Sequence, residues 1–549
     1  EAISTANPLY GQYAVSGGSI GRSQSMYWSY TLQQLLTWNY TFNDVHHVDI
    51  MLGHENNYDM GRSLSGNKNG LYSVDSSELS QGLKVSSTSS SFAEYNNEGY
   101  LFRGQYDFDN RLFFSASFRR DASSKFHPDN RWGNFWSVGA SWIIDKESWF
   151  NADWVNLLKV KASFGSQGND GISNNLYTDT YSVENNNGQV AVLFNSKGNK
   201  DITWETNTNL NIGAEFGFWD NRLAGSFEFF NRNTTDMLFY FTVPASLGYN
   251  GYYANIGDMF NRGIELELNG DIIRTKNVTW SASLNMTHVT TKVTKLADQF
   301  KTQNIDGKPG YIDGSYYIGE GVPLHSFYMR EYAGVNDKGE ATWWQDVYKK
   351  NDKGDYILDD NKNKIVEKRV ATTDYSNATR YLQESALPDV YGGFSTSVSA
   401  YGFDASIAFT YQLGGLVYDS GYANFMSSPY GSIGVNYHKD ILNAWSQDNK
   451  ESTIPRFQYG DEYTTSTSDR FLTSASYLNI QNINVGYTLP ADWTKKFGVS
   501  SLRVYLACDN VVYWSKRRGL DPRYSFSGST NFANYSPIRT ISGGLNVVF

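Results

Sequence analysis

The sequence predicts an all-β fold, a transmembrane antiparallel β-barrel, and three observations support this prediction. The 549 residues include 40 Tyr, 32 Phe and 15 Trp, although the mean hydropathy is a polar -0.50 and large rings belong mainly in cores. Apolar and polar residues alternate with period two over segments of about ten residues, as in strands with a lipid face and a wet face. Short turns and long polar loops alternate along the chain, as in barrels with periplasmic turns and extracellular loops.

Composition excludes several other classes of protein. No segment approaches the roughly 20 consecutive apolar residues that a membrane helix needs. The single Cys508 excludes a disulfide framework. The net charge of -10 argues against a nucleic-acid partner, which would require a basic surface. Because the chain starts at Glu1 without a basic and apolar leader, we expect that a signal peptide is missing or already removed.

The clearest predicted strand runs from Arg111 to Asp121, directly after the turn residues Asp109 and Asn110, which suit a tight hairpin. One predicted face carries Leu112, Phe114, Ala116 and Phe118, and the other carries Arg111, Ser115, Ser117 and Arg119. Three later runs repeat this alternation, with apolar residues at Leu210, Ile212, Ala214, Phe216 and Phe218, at Leu223, Gly225, Phe227 and Phe229, and at Ile264, Leu266 and Leu268.

The predicted connections fall into two length classes. Residues 219–221 and 401–402 are short turns, whereas long polar loops are predicted at residues 61–92, 165–203, 296–326, 334–387 and 415–470. Such asymmetry places the short turns in the periplasm and the long loops outside the cell. The runs add up to about 14 to 16 strands.

The last segment alternates up to an aromatic carboxy-terminal residue, with Ile541, Gly543, Leu545, Val547 and Phe549 on one face. Outer-membrane barrels commonly end in this way, because the membrane-insertion machinery reads the final strand. The alternative is a soluble protein that ends on a buried strand. The preceding array of alternating runs favours the barrel.

Several segments, in this order and spacing, are similar to one family. They are residues 118–126 (FRRDASSKF), 131–133, 137–139, 158–165 (LKVKASFG), 203–206 (TWET), 261–266 (NRGIEL), 387–394 (LPDVYGGF), 411–415 (YQLGG), 475–478, 486–490 (GYTLP), 501–505, 519–522 (GLDP) and 539–540. On these segments the sequence resembles the SusC-type (SusC/RagA) TonB-dependent transporters over nearly the whole chain.

The resemblance implies a transport machine with several partners. Its members lie in the outer membrane, among lipid and lipopolysaccharide, as a dimer of transporter–lipoprotein pairs. A SusD-like surface lipoprotein acts as a lid over each barrel, and TonB pulls on a plug domain to admit an oligosaccharide or oligopeptide. Members also carry a plug, a TonB box and the first strands, none of which is recognisable here. We therefore expect residues 1–549 to be the C-terminal part of one such barrel.

The strand count supports this expectation independently. Transporters of this kind have about 22 strands, so the predicted strands are about six to eight too few. An open strand edge in hydrocarbon leaves unpaired N–H and C=O groups, each costing several kcal/mol. We expect a second chain or an N-terminal segment to supply the missing strands and the plug. The alternative is a smaller barrel that closes alone.

Candidate sites are few. Residues 352–361, which include Asp352, Asp355, Asp359, Asp360 and Asn361, suggest a calcium loop, but interrupting lysines favour a solvated charged loop. The adjacent His46 and His47 point to opposite faces of a strand and cannot chelate one metal ion. Glu265 and Glu267 share a strand face; such carboxylates serve glycosidases, but on a barrel wall we interpret them as pore lining. No catalytic residue, cofactor or metal site is predicted.

Trp343 and Trp344, with Tyr348 and Tyr356, lie in a predicted loop where rings lack a core to fill. They suggest a surface that binds substrate or a partner lid, with packing of loop on loop as the alternative. Three functions therefore remain open. An energised importer of large nutrients leads, followed by a passive porin and by a surface adhesin or glycan-binding β protein.

Overall fold

Antiparallel β-strands dominate the computed structural model, which describes residues 2–4, 18–72, 78–359, 363–426, 436–461, 463–530 and 535–549. In chain order the strands are β1 (Ala2–Ser4), β2 (Ser19–Phe42), β3 (His46–Leu71), β4 (Gly82–Phe108), β5 (Leu112–Ser123), β6 (Trp132–Ile143), β7 (Val155–Asn169), β8 (Thr180–Asn186), β9 (Gln189–Ser196), β10 (Glu205–Phe218), β11 (Leu223–Thr235), β12 (Leu238–Thr242), β13 (Gly251–Asn255), β14 (Asp258–Arg274), β15 (Val278–Lys295), β16 (Gln303–Ile305), β17 (Lys308–Asp313), β18 (Tyr316–Gly319), β19 (Ser326–Arg330), β20 (Tyr332–Val335), β21 (Ala341–Tyr348), β22 (Val366–Thr372), β23 (Arg380–Ser385), β24 (Val390–Ala400), β25 (Phe403–Leu413), β26 (Leu416–Tyr418), β27 (Leu472–Ser474), β28 (Tyr477–Thr488), β29 (Ser501–Ser515) and β30 (Thr540–Val548).

Helices are short. Two α-helices are described, α1 (Ser420–Phe425) and α2 (Ala491–Thr494). Single 3-10 turns occur at Leu79–Gln81, Ile144–Lys146, Ala245–Leu247, Asp298–Phe300, Tyr375–Asn377, Lys439–Asn443, Asp469–Phe471, Lys495–Phe497 and Pro522–Tyr524. Among the described residues, none of these helices has the length and apolar character needed to cross a membrane.

The chain divides into two compact units. Unit 1 consists of Glu1–Ala140, Phe164–Thr208 and Asp236–Ile256. In it β1 to β6 are hydrogen-bonded in chain order, and two hairpins, β8–β9 and β12–β13, lie in its connections. Its largest apolar core joins Phe126 to Trp204.

Unit 2 consists of Ser141–Ser163, Asn209–Thr235 and Gly257–Phe549. Its strands follow the order β11-β14-β15-β24-β25-β28-β29-β30, and each neighbouring pair is antiparallel. Strands β6, β7 and β10 carry residues of both units. The large sheet contains sixteen strands, which confirms the predicted fold class and strand count.

The two faces of the strands in unit 1 differ as the alternation predicts. In β5 the rings of Phe114 and Phe118 are 51% and 44% exposed on one face. On the other face Ser117 shares a 2.7 Å hydrogen bond with Ser137, and Arg119 donates two hydrogen bonds to Asp121. An exposed apolar face opposite a hydrogen-bonded polar face is the arrangement expected of a barrel wall that separates lipid from water.

Unit 2 has the same two faces. Leu506 of β29 is 65% exposed and stands beside Val485 and Gly543 of the neighbouring strands. Three residues before Leu506 in the same strand, and therefore on the opposite face, Arg503 donates from Nε to Asp404 Oδ1 at 2.9 Å. This ion pair lies on the polar face of the sheet, opposite the apolar face that carries Leu506.

The predicted tight turns are confirmed. Asp109 and Asn110 have φ angles of 54° and 53°, and Tyr401 and Gly402 have φ angles of 52° and 90°. Two successive positive φ angles define the hairpin turn whose twist matches that of paired strands. Asp107 accepts a hydrogen bond from the Asn110 amide at 3.1 Å and holds the first of these turns.

The prediction of a loop at residues 61–92 is wrong. Strands β3 and β4, of 26 and 27 residues, continue through most of this segment and pair with each other. Hydroxyl groups bond across them, Ser63 to Ser91 at 2.6 Å and Ser65 to Ser89 at 2.7 Å. Because polar side chains occupy both faces here, the period-two signal that marks a half-buried strand is absent.

The other long connections also contain regular secondary structure, which corrects their prediction as long polar loops. Residues 165–203 contain the β8–β9 hairpin, and residues 296–387 contain a five-stranded sheet, β16-β17-β18-β19-β23, and a three-stranded sheet, β20-β21-β22. The connection at residues 415–470 holds β26 and α1. Tyr317 and Phe327 are almost fully buried within these connections, so they have small cores of their own.

A charge on the apolar face of β29 tests this assignment of faces. We expect Leu506→Arg to destabilise the protein in lipid by about 2–4 kcal/mol, the cost of a cation near the bilayer midplane. Ser542→Arg is the matched control, because Ser542 lies on the polar face of β30 opposite Ala507. Urea unfolding in vesicles measures both variants, and equal losses would contradict the assignment.

Candidate functional site

A cavity of about 610 Å³ lies in unit 2, within the size range of sites for small ligands. Its wall consists of four neighbouring strands, β15, β24, β25 and β28, and its rim consists of Ala386, Pro388, Ser525 and Phe526. Tyr391, Gln412 and Gln481 contribute side chains from three of these strands. We call this space the β24–β25 cavity.

Two glycines allow the strands to approach closely in the wall. A Cβ atom on Gly392 would lie 2.1 Å from the Asn285 backbone oxygen, so only glycine fits this position. The neighbouring Gly393 donates its N–H to Asn285 Oδ1 at 2.8 Å. This bond fixes the Asn285 amide with its oxygen toward β24, and leaves its NH₂ group as a donor.

Some polar groups of the cavity bond to each other, and others do not. Ser283 and Ser395 share a 2.7 Å hydrogen bond, and Asn479 donates to Thr410 Oγ1 at 3.1 Å. Within the described part of the chain, no hydrogen bond engages the side-chain amides of Gln412 and Gln481 or the Tyr391 hydroxyl group. These groups are therefore available to a ligand.

Aromatic rings stand beside the free amides. Tyr391 is 41% exposed on β24, and Phe526 is 77% exposed on the rim. Tyr477 of β28 completes the aromatic part of the lining. The described residues that line the cavity include no Asp, Glu, Lys, Arg or His, so this lining presents hydrogen-bonding amides and rings without formal charge.

A smaller cavity of about 280 Å³ lies beside α1, and several of the charged groups in its lining form ion pairs. Arg517 bonds to Asp419 at 3.0 Å and lies 4.0 Å from the ring centroid of Tyr422. Asp521, also in its lining, accepts hydrogen bonds from Arg523. No group of His, Cys, Asp and Glu suited to a metal ion occurs among the described residues.

The structure corrects the interpretation of Trp343. The ring is 2% exposed in β21 and packs against Tyr332, Tyr375, Ala341 and Ala378. The prediction that it lacks a core is wrong, because the connection forms a sheet with its own apolar core. For Trp343 the alternative interpretation, in which the ring packs against other residues of the loops, agrees with the structure.

The other three rings of this region are partly covered. The Arg369 guanidinium lies 4.8 Å from the centroid of Trp344, and Lys364 lies 4.1 Å from that of Tyr356. Tyr348 meets Tyr356 edge-on, with centroids 6.0 Å apart. Trp344 stays a predicted substrate contact that no observation here tests.

The remaining predicted residues are placed as follows. His46 bonds to the Tyr106 hydroxyl at 2.7 Å and His47 to Thr41 at 3.0 Å, with the two rings on opposite faces of β3. Glu265 and Glu267 both lie exposed on one face of β14. Ile541, Leu545 and Val547 are exposed on β30 beside Gly543, and Phe549 follows the strand. A role of these residues in membrane insertion stays a prediction.

The calcium loop can be described only in part, because Asp360 and Asn361 lie outside the described residues. In the preceding part, Asn351 Oδ1 accepts hydrogen bonds from the amides of Lys353 and Asp355 at 3.0 and 2.9 Å. This is the local turn that a short polar side chain forms with its own backbone. A calcium ligand set stays untested.

Sequence reasoning placed the cavity residues in motifs without identifying a site. Tyr391, Gly392 and Gly393 belong to one segment of the family resemblance, and Gln412 to another. The adjacent glycines within a strand were the available signal, because glycine inside a strand marks a bulge or a close backbone approach. Gln481 lies at a bulge between Ile480 and Asn482, where the register of the pairing between β28 and β25 shifts by one residue. No pattern in the sequence predicted this bulge.

Adjacent tryptophans offer a test of the loop core. We expect Trp343→Ala to cost about 3–5 kcal/mol of local stability, since it removes a large buried ring. Trp344→Ala is the matched control, and we expect a loss within about 1 kcal/mol because its ring is only partly covered. Hydrogen exchange over β20 to β22 measures both, and a larger loss at Trp344 would contradict the packing described.

The carboxyl group of Asp469, in the connection at residues 415–470, is expected to make the local stability of this connection depend on pH. Burial raises the pKa of Asp469 to about 6, and the nearby Glu331 carboxylate adds to this increase. The backbone amide of Tyr332 donates a hydrogen bond to Asp469 Oδ1 at 2.7 Å and partly offsets the increase in pKa. A raised pKa means that folding favours the neutral acid. Its stabilising contribution is complete below the unfolded value of about 4 and is lost as pH rises through about 6.

Acidification from pH 7 to pH 5 is therefore expected to slow the opening of residues 463–475. Asp469→Asn keeps an acceptor oxygen for Tyr332 and removes the titration, so its protection is expected to change less over this range. Hydrogen exchange corrected for intrinsic rates measures both proteins. Greater protection of the unchanged protein at pH 7 would reverse the sign and refute the assignment.

Comparisons with known proteins agree on one family. Residues 3–415 match the family model described as TonB dependent receptor-like, beta-barrel. TonB-dependent receptor P3 of Formosa agariphila is 28% identical over 469 residues, covering 81% of this chain and 45% of the relative. TonB-dependent receptor SusC of Bacteroides thetaiotaomicron is 27% identical over 473 residues, covering 82% of this chain and 43% of the relative.

A solved structure, the RagAB peptide transporter, superimposes with a TM-score of 0.81 at 27% identity, over 96% of this chain and 56% of that chain. This agreement supports the SusC/RagA resemblance that the sequence motifs indicated. The chain spans about half the length of the curated relatives it matches.

Proposed function

This chain belongs to the TonB dependent receptor-like β-barrel family, and from this premise we propose that it forms wall and extracellular loops of a TonB-dependent importer in the bacterial outer membrane. The cargo is a large nutrient, an oligosaccharide or an oligopeptide. The observation that carries the proposal is the pair of opposite faces in unit 2, where exposed Leu506 faces outward on one side and the β24–β25 cavity opens on the other. Such a wall separates lipid from a wet path that binds cargo.

We further propose that residues 1–549 are the C-terminal part of this barrel, completed by an N-terminal segment or a second chain. Within the described residues, β2 beyond Gly21 pairs only with β3, although this stretch carries the apolar Leu36 and Trp38. In hydrocarbon each unpaired backbone group costs several kcal/mol. The completing segment supplies the further strands, and with them the plug that TonB pulls.

A SusD-like lipoprotein is the proposed lid. The connections of unit 2 have small buried cores around Tyr317, Phe327 and Trp343, so they offer a surface of defined shape to a partner. Two transporter–lipoprotein pairs form the proposed dimer, surrounded by lipid and lipopolysaccharide. The support for both partners is the SusC/RagA likeness together with these folded connections.

Transport without catalysis fits the chemistry of the cavity. General acid–base and nucleophilic steps need groups such as carboxylates, histidines, lysines or cysteines. The lining of the β24–β25 cavity consists instead of amides, hydroxyls, rings and apolar side chains. Its proposed role is to hold cargo on its way inward.

Deletion of TonB separates an energised importer from a passive porin. We expect uptake of the cargo to fall to background in the deletion strain, because the outer membrane has no ATP and the plug stays closed without TonB. Uptake of labelled cargo by whole cells measures this, with plasmid-borne TonB restoring it. Undiminished uptake without TonB would refute the importer and favour the porin.

A further inference from the structure

We infer that the β24–β25 cavity binds an uncharged saccharide unit of the cargo. This inference rests on the proposed import function and narrows its cargo, for which both glycans and peptides are open. Three properties of the cavity carry it: the absence of charged residues from its described lining, the neighbours that each wall strand has on both sides, and the presence of free side-chain amides and exposed rings in one lining.

The first property excludes ligands whose binding depends on a formal charge. A desolvated carboxylate or ammonium group needs an opposite charge or several strong hydrogen bonds. Within the described part of the chain, the lining of the cavity includes no Asp, Glu, Lys, Arg or His. Peptide termini and the carboxylates of acidic sugars therefore find no counter-charge there, whereas a neutral sugar needs none.

The second property excludes the usual way in which a sheet binds a peptide. An extended peptide adds to a sheet through the N–H and C=O groups of an open strand edge. Each wall strand is already paired on both sides: β15 with β14 and β24, β24 with β15 and β25, and β25 with β24 and β28. The fourth, β28, pairs with β25 and β29. Apart from the bulge at Gln481, the wall therefore offers no open strand edge, and recognition in this cavity relies on side chains.

The third property fits the hydroxyl groups and flat faces of a sugar ring. A side-chain amide both donates and accepts hydrogen bonds, as each sugar hydroxyl does. Gln412 and Gln481 offer two such amides without partners in the described chain. Tyr391 and Phe526 expose rings beside them, and aromatic faces bury the apolar C–H surface of a ligand.

A retention experiment on the intact transporter that contains this chain tests the inference. The purified protein in detergent is incubated with a mixture of neutral oligosaccharides, acidic oligosaccharides and tryptic peptides, and retained compounds are identified by mass spectrometry. We expect neutral oligosaccharides to be retained. Gln412→Leu with Gln481→Leu is expected to weaken their binding about 10- to 100-fold, because two hydrogen bonds are lost.

Gln458→Leu is the matched control, because Gln458 is exposed and lies outside the cavity lining. Tyr391→Ala is a second test that leaves the strand pairing intact, and we expect it to weaken saccharide binding at least about fivefold. The shift of the folded barrel on unheated gels confirms that each variant folds.

The outcomes separate the inference from the function it rests on. Retention of peptides or acidic sugars that the Gln412 and Gln481 variants abolish would overturn the saccharide assignment and leave the importer in place. Retention of no neutral saccharide, or retention unchanged in both cavity variants, would also overturn it. TonB-independent uptake would refute the importer itself, whichever compound is retained.

Discussion

The pairing of every backbone N–H and C=O group is the constraint on which the rest of this structure depends. In a bilayer no water replaces a missing hydrogen bond, so strands can cross only as members of a continuous ladder. Antiparallel pairing then fixes the side chains into two faces, and each strand must satisfy lipid on one and water on the other. The exposed Phe114 and Leu506 and the paired Arg503 and Asp404 are consequences of that single requirement.

The same constraint shapes the cavity. Because each wall strand is paired on both sides, with only the bulge at Gln481 interrupting the ladder, side chains supply most of the groups that can meet a ligand. Gly392 brings β15 and β24 together where a larger residue would collide with the Asn285 oxygen, and the bulge at Gln481 turns an extra side chain out of the ladder. The rim comes from folded connections, so the site combines a fixed wall with residues such as Phe526 carried by a loop.

The fold class and the tight turns were predictable from the sequence because both depend on local signals. Alternation marked β5, and short polar residues marked the turns at Asp109 and Tyr401. The extensions of β3 and β4 were missed, because strands that are wet on both faces lose the alternation. The core around Trp343 and the cavity were missed for another reason: they join residues far apart in sequence, and one sequence does not show which strands become neighbours.

The distribution of charge in unit 2 fits the proposed cargo site, which has to bind its ligand and still release it. Arg517 pairs with Asp419, and Lys161 pairs with Glu215 at 2.9 Å, while the cavity holds none of these charges. A neutral hydrogen bond contributes only about 0.5–1.5 kcal/mol, whereas bonds to charged groups contribute about 1.5–3 kcal/mol. A path through a membrane requires binding strong enough for entry and weak enough for departure. Amides and rings meet both requirements, since their affinity is the sum of several weak contacts that break one at a time.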